Sequence, residues 1–126
     1  YRQVAERQPD NWAAMNNLAL VLSRLGRDQE ALTYARRAAQ LQPDNPAVAH
    51  TLGYVLYKVG SLGEAEKLME KAVLALPDVG EIRYHYGYIL LARGRKDEAR
   101  EQLEMGLEMD PENKEAARAK DMLLQM

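Results

Sequence analysis

The sequence lacks several features that would assign it to other classes of protein. Its 126 residues contain no cysteine, which excludes a disulfide, a thiolate metal site and a cysteine nucleophile. Its longest apolar run is a handful of residues, whereas a membrane-spanning helix needs about 20. A block of charge of one sign is also missing, because 17 basic and 19 acidic residues are mixed along the chain. Without a basic stripe, nucleic acid is not expected to be the main partner.

What the sequence does contain is an internal repeat. Four of its five prolines, at positions 9, 43, 77 and 111, are spaced 34 residues apart. The same interval separates the members of three further sets: Gly26, Gly60 and Gly94; Ala31, Ala65 and Ala99; and Leu22, Leu56 and Leu90. Agreement among independent columns makes coincidence implausible. A period of this length is typical of a helix–turn–helix unit that stacks on copies of itself, so we predict an all-α solenoid.

Each unit reads as two amphipathic segments separated by a glycine, which predicts a pair of antiparallel helices. We expect first helices near residues 12–25, 46–59 and 80–93, and second helices near 28–41, 62–76 and 96–109. The units are predicted at residues 9–42, 43–76 and 77–110, with a C-terminal capping helix in 111–126. Residues 1–8 fit the tail of a preceding second helix. Because the chain opens on Tyr1 and not on Met, we expect it to be a piece of a longer protein.

Local signals predict where these helices end and what they bury. A glycine after each first helix can adopt the left-handed conformation. Each recurrent proline ends a second helix, and the Asp or Asn after it is expected to cap the next first helix, as Asn45 would before Pro46. The predicted core combines small residues with large apolar ones: Ala31, Ala35, Ala38, Gly53, Ala65, Ala72, Gly87, Ala99, Gly106, Leu18, Leu22, Leu52, Leu56, Met69, Tyr86, Leu90 and Leu103.

The pattern resembles the tetratricopeptide repeat (TPR), which places a Leu-Gly pair, a large residue, an Ala, a large apolar residue, an Ala and a Pro at fixed offsets. The middle unit supplies Leu52-Gly53, Leu56, Ala65, Met69, Ala72 and Pro77, and the other two units match nearly as well. The tryptophan column of the family holds Met15, Ala49 and Arg83. The resemblance covers nearly the whole chain. It implies a right-handed superhelical TPR solenoid and a non-catalytic scaffold for protein–protein interaction.

In this family the first helices line a concave groove, so the resemblance also implies which residues face a partner. These are Asn16, Asn17, Leu20, Arg24, His50, Tyr54, Tyr57, Lys58, Glu81, Tyr84, His85 and Tyr88, to which the terminal helix can add Glu115, Arg118 and Met122. Tyrosine offers a large, rigid contact area with a polar tip. We hypothesise that the four tyrosines form the centre of the groove. The alternative is that two or more of them are helix-packing residues, because helical spacing alone does not separate the two roles.

Other chemistries find little support in the residues present. Family members that clamp a chaperone carboxylate use Lys and Arg, but the matching positions here are Asn16, Leu20, Thr51, Glu81 and His85. Two histidines without cysteine are a weak metal signal, and pH-dependent partner binding is the other use they suggest. Ser23 and Ser61 have no recognisable base and acid in the sequence. We therefore predict no enzyme activity, no metal and no cofactor.

The expected partner is a protein or peptide, with no nucleic acid and no direct membrane insertion. A finer resemblance links the strings NNLALVLSRLG and EIRYHYGYILLARGRKDEA to repeats of large bacterial exopolysaccharide-secretion and cell-envelope proteins. It implies a bacterial origin, with the periplasm favoured over the cytoplasm. The alternative function is a self-assembly module, a homo-oligomer that stacks through repeat end faces such as the one around Tyr1 and Val4.

Overall fold

The computed structural model describes residues 11–126, which form seven α-helices and no strand. The helices are α1 (Trp12–Arg24), α2 (Asp28–Leu41), α3 (Pro46–Val59), α4 (Leu62–Ala75), α5 (Gly80–Ala92), α6 (Lys96–Met109) and α7 (Ala116–Gln125). The all-α prediction is confirmed, and the predicted ends of the six paired helices agree with the observed ones to within one residue. The predicted helix remnant at 1–8 and the end face around Tyr1 and Val4 lie outside the described residues. The division into 34-residue units stays a prediction.

The helix ends show why the repeat period is so regular. Each second helix stops two residues before a proline, consistent with the steric restriction that proline places on its predecessor. Gly60 follows α3 with a φ of 89°, a left-handed conformation that strains any residue with a Cβ. The side chains of Asn11 and Asn45 cap α1 and α3, accepting from the backbone amides of Ala14 and Ala47 at 3.0 Å each.

The predicted N-terminal cap of α5, the first helix of the third repeat unit, is wrong. Helix α5 begins after Val79, and its start has no capping hydrogen bond from a side chain. The cap position is the second residue after each proline. It is Asn in the first two 34-residue repeat units but Val in the third. Asp78 lies one residue too early to take that role.

The chain divides into two compact units, Tyr1–Leu68 and Met69–Met126. In the first unit, α2 packs with both α1 and α3. One apolar cluster joins Met15, Ala38 and Val48, and a second joins Leu22, Ala31 and Val55. Two polar contacts add to this packing. Arg36 of α2 donates two hydrogen bonds to the carboxylate of Glu64, at 2.8 and 3.1 Å, and Lys58 donates to the Ser23 carbonyl at 2.9 Å.

In the second unit, α5 and α6 run antiparallel at very close approach. A Cβ placed on Gly87 would lie 2.6 Å from the Leu103 side chain, and one on Gly106 would lie 3.0 Å from the Tyr84 ring. Arg83, in the column that holds tryptophan in the family, donates twice to the Pro77 carbonyl and once to Gln102 of α6. The guanidinium thus ties the turn before α5 to the neighbouring helix.

The predicted core is largely confirmed. Its alanines and glycines are buried, as are the leucines at 22, 52, 56, 90 and 103 and Met69. Leu18 and Tyr86 are only half-buried. The structure adds further core residues that the prediction missed, in columns that face a neighbouring helix: Val48, Val55, Ile82, Ile89, Tyr84 and Tyr88.

Candidate functional site

The first unit presents the predicted partner-binding residues of α1 and α3 on two helices that contact each other. We call this surface the α1–α3 face; its residues are Asn16, Asn17, Leu20, Arg24, His50, Tyr54, Tyr57 and Lys58. Asn17, Arg24 and Lys58 are exposed, and Leu20, His50, Tyr54 and Tyr57 are half-buried. Seven of the eight predicted residues in this unit therefore keep accessible surface.

Tyr54 and Tyr57 form an aromatic pair on this face. Their ring centroids lie 6.1 Å apart, with the rings tilted by 35°. The ammonium of Lys58 lies 5.8 Å from the centroid of Tyr54 and 3.6 Å from the carboxylate of Asp28. Half-buried tyrosine rings combine a fixed orientation with accessible apolar area, which suits recognition of another chain.

Asn16 differs from its neighbours because it is 8% exposed and its Oδ1 atom is buried. Within residues 11–126 this oxygen has no hydrogen-bond partner. A buried acceptor without a donor is unfavourable by about 1–3 kcal/mol. It is therefore a position at which the fold is not optimised for stability.

In the second unit, three of the predicted partner-binding residues are buried. Tyr84 and Tyr88 are 0% and 1% exposed, and His85 is 4% exposed. The Tyr84 hydroxyl donates to the backbone carbonyl of Asp110 at 2.8 Å. Burial, followed by the nearby charges of Asp110 and Glu115, raises the pKa of Tyr84, so the phenol stays protonated and remains a donor. Both tyrosines fit the packing alternative of the sequence analysis in this conformation.

The carboxylate of Glu115, just before α7, is the centre of a polar cluster on α5. Its Oε1 accepts from the Tyr88 hydroxyl at 2.8 Å, and its Oε2 lies 3.3 Å from Nε2 of His85, which donates when it carries its proton there. The Arg118 guanidinium lies 4.3 Å above the Tyr88 ring. These contacts, led by the hydrogen bond from His85, lower the pKa of Glu115 to about 2 although burial opposes the shift.

Glu115 and Arg118 were predicted at this surface, but Asn113 was not. Its side-chain amide donates to Asp110 at 2.9 Å and to Glu81 at 3.4 Å, and its Oδ1 accepts from the Glu115 amide at 2.8 Å. The signal was available, because Asn113 continues the 34-residue column of the capping residues Asn11 and Asn45. An Asn side chain that accepts from the amide two residues on, as Asn45 does from Ala47, thus positions Glu115.

Replacing Glu115 with Gln tests the energetic role of this cluster. We expect Glu115→Gln to lower the free energy of unfolding at neutral pH by about 1–3 kcal/mol. The folded-state pKa lies below the unfolded one, so the advantage of the native carboxylate is complete above the unfolded value and disappears as the pH falls toward about 2. Urea denaturation of both chains across this pH range measures the difference.

The matched control is Glu112→Gln, which removes the same charge from an exposed neighbour. It is expected to change stability little at any pH. A Glu115→Gln deficit that is equally large at neutral pH and at about pH 2 would contradict the assignment of the stabilisation to the ionised carboxylate.

Comparisons with known proteins agree with this fold. The alignment with the crystal structure of MamA covers 99% of this chain and 73% of the MamA chain, at 17% identity and a TM-score of 0.81. A mutant of the Thermobaculum terrenum O-GlcNAc transferase aligns with 89% of this chain at 28% identity and a TM-score of 0.80, although the chain spans only 21% of that protein. The first TPR of Spaghetti, bound to an HSP90 peptide, aligns over 90% of both chains at 19% identity and a TM-score of 0.77. No curated protein matches the sequence significantly.

None of the helices in the described part of the chain is both long enough and apolar enough to span a bilayer. Models of the tetratricopeptide repeat match residues 1–46, 26–81 and 56–123. Those matches cover nearly the whole sequence, and the helix pairs, glycine ends and buried small residues are the ones the repeat requires. The chain belongs to the tetratricopeptide-repeat family.

Proposed function

We propose that this chain is a non-catalytic protein-interaction scaffold that binds a peptide or protein partner on its α1–α3 face. The observation that carries the proposal is the Tyr54–Tyr57 pair, whose half-buried rings stand 6.1 Å apart among residues that retain accessible surface. Rigid aromatic side chains contribute a large share of binding energy at protein interfaces. The Spaghetti TPR, a structural neighbour, is bound to a peptide, which is consistent with the same use here.

The charge of the α1–α3 face limits the kinds of partner that it can bind. Helices α1 and α3 contain no Asp or Glu, and their only Lys and Arg are Lys58 and Arg24, both in the last turn. Lys58 already contacts Asp28 and the Ser23 carbonyl, so Arg24 is the cation available for a partner. A segment with an apolar or aromatic side chain for the tyrosines and a hydrogen-bond acceptor for Arg24 and Asn17 suits this chemistry.

The two tyrosines of α5 have a different part in this proposal. Because Tyr84 and Tyr88 are buried and their hydroxyls are hydrogen-bonded within the second unit, they do not offer contact area in the conformation described. Glu81 and His85 likewise contact residues 113 and 115. The first unit therefore carries the primary partner-binding surface.

The non-catalytic part of the proposal agrees with the position of Ser23, one of the two serines considered as a nucleophile. Ser23 is 2% exposed, and its hydroxyl donates to Asp28 at 3.4 Å. A buried hydroxyl bonded in this way has no access to a substrate. The cellular context, a larger bacterial protein with a periplasmic role in exopolysaccharide secretion, stays a prediction from the sequence resemblance.

Alanine at both aromatic positions tests the binding face. We expect peptides selected on the wild-type chain from a displayed random library to bind Tyr54→Ala/Tyr57→Ala at least about tenfold more weakly, because the aromatic contact area is gone. Fluorescence anisotropy with the synthesised peptides measures the affinities, and circular dichroism checks that the variant is folded. The control is Gln40→Ala, on an exposed position of α2. Peptides that bind a folded double variant as tightly as wild type would overturn the proposal.

A second candidate function, self-association, is favoured by one exposed residue. Leu22, Leu56 and Leu90 are buried, yet Leu124, the next residue in that 34-residue column, is 86% exposed. In the first unit the residue of this column packs with Ala31 and Val55 of neighbouring helices. We propose that Leu124 makes the corresponding contact with a second copy of the chain, in a head-to-tail arrangement.

Sedimentation at increasing protein concentration tests self-association. The wild-type chain is expected to associate, and Leu124→Lys to remain monomeric, because burying a charge in an apolar contact is unfavourable. Gln125→Lys, which adds the same charge at the adjacent exposed position, is the control and should still associate. Equal association of the Leu124→Lys chain, or a wild-type chain that is monomeric throughout, would remove this candidate.

A further inference from the structure

One short stretch of chain contacts all four of the predicted partner-binding residues of α5. We call residues 110–118 the cap segment. The Asp110 carbonyl accepts from Tyr84, Asn113 donates to Glu81, and Glu115 contacts both His85 and Tyr88. The cap segment thus lies on α5 where a partner of that surface would lie.

The contacts have a specific chemistry. A carboxylate sits between an imidazole and a phenol, and a guanidinium three residues later covers the face of the same phenol ring. Residues three apart project from the same side of a helical turn, so one short peptide can supply both groups. Charge-assisted hydrogen bonds and a cation over an aromatic face are both directional, which makes this pair of groups a recognisable pattern.

The cap segment and α7 bury little large apolar surface. The buried residues of α7 are Ala116 and Ala119, whereas Met122 and Leu123 are half-buried and Leu124 is largely exposed. Small side chains contribute little hydrophobic stabilisation, so the polar contacts of Glu115 and Arg118 carry much of the attachment. Elements held in this way are among the first to open in a folded protein.

We propose that α5 is a second peptide-binding face, that the cap segment occupies it in cis, and that its partner is a peptide with a carboxylate followed three residues later by a basic side chain. Such a peptide replaces Glu115 at His85 and Tyr88 and replaces Arg118 over the Tyr88 ring. The cap segment then acts as an intramolecular competitor. This proposal does not depend on the α1–α3 face, and either surface can fail its test without the other.

The probe is a fluorescent synthetic peptide with the sequence of residues 110–126, added to the full chain. In Glu115→Lys the cap segment no longer supplies its carboxylate to His85 and Tyr88, which weakens its attachment to α5; we call this variant the released chain. We expect the peptide to bind the Glu115→Lys chain at least roughly tenfold more tightly than the wild-type chain, measured by fluorescence anisotropy. The same peptide with Glu115→Gln should bind the released chain at least roughly tenfold more weakly than the native peptide.

Two chain variants sharpen the result. Glu112→Lys makes the same charge change at an exposed position that makes none of the contacts described above, and it should bind the peptide no better than wild type. Adding Tyr88→Phe to Glu115→Lys removes one donor to the incoming carboxylate and should weaken binding several-fold.

If circular dichroism shows that Glu115→Lys is unfolded, Glu115→Gln replaces it as the released chain. Equal binding to the released and wild-type chains, equal binding of the two peptides, or no binding to a folded released chain would each overturn the proposal.

Discussion

Close approach of paired helices is the constraint on which the rest of this structure depends. Small residues line the contact between partners: Ala31, Ala35 and Ala38 on α2 are fully buried, and a Cβ on Gly87 would overlap Leu103. Interiors are packed too densely to absorb extra atoms there without movement. In the first unit α2 packs against α1 and α3, and in the second unit α6 packs against α5, so the rest of each first helix is left for other contacts. The candidate sites of this protein lie mostly on that remaining surface, although Tyr84 of α5 also packs against Gly106 of α6.

The two units use that surface in different ways. On α1 and α3 it carries accessible tyrosine, asparagine and arginine side chains without a carboxylate. On α5 it carries tyrosines and a histidine that the chain itself covers through Glu115 and Arg118. One repeat pattern therefore supports both an open surface and an occupied one. The difference on α5 is the cap segment, whose side chains and backbone contact that helix.

Much of the fold could be predicted because repetition turns weak local signals into strong ones. A single glycine or proline says little, but Gly26, Gly60 and Gly94 at one interval predicted the helix ends, and all three have positive φ values. The predicted Asp or Asn cap fails at α5 because the capping column, two residues after each proline, holds Asn11 and Asn45 but then Val79, and Asp78 lies one residue before it. The burial of Tyr84 and Tyr88 was not predictable from spacing, because it depends on contacts with Asp110 and Glu115, which are 26 and 27 positions away. Sequence period identifies a face, and only tertiary contacts decide what covers it.

We propose that the first helices carry the partner-binding surfaces, and an NMR titration of the labelled chain with a peptide selected for binding to it tests this. We expect chemical-shift changes to concentrate on α1 and α3 for a peptide bound at the α1–α3 face, or on α5 and the cap segment for one bound there. Changes concentrated on the exposed sides of α2, α4 and α6 would contradict it.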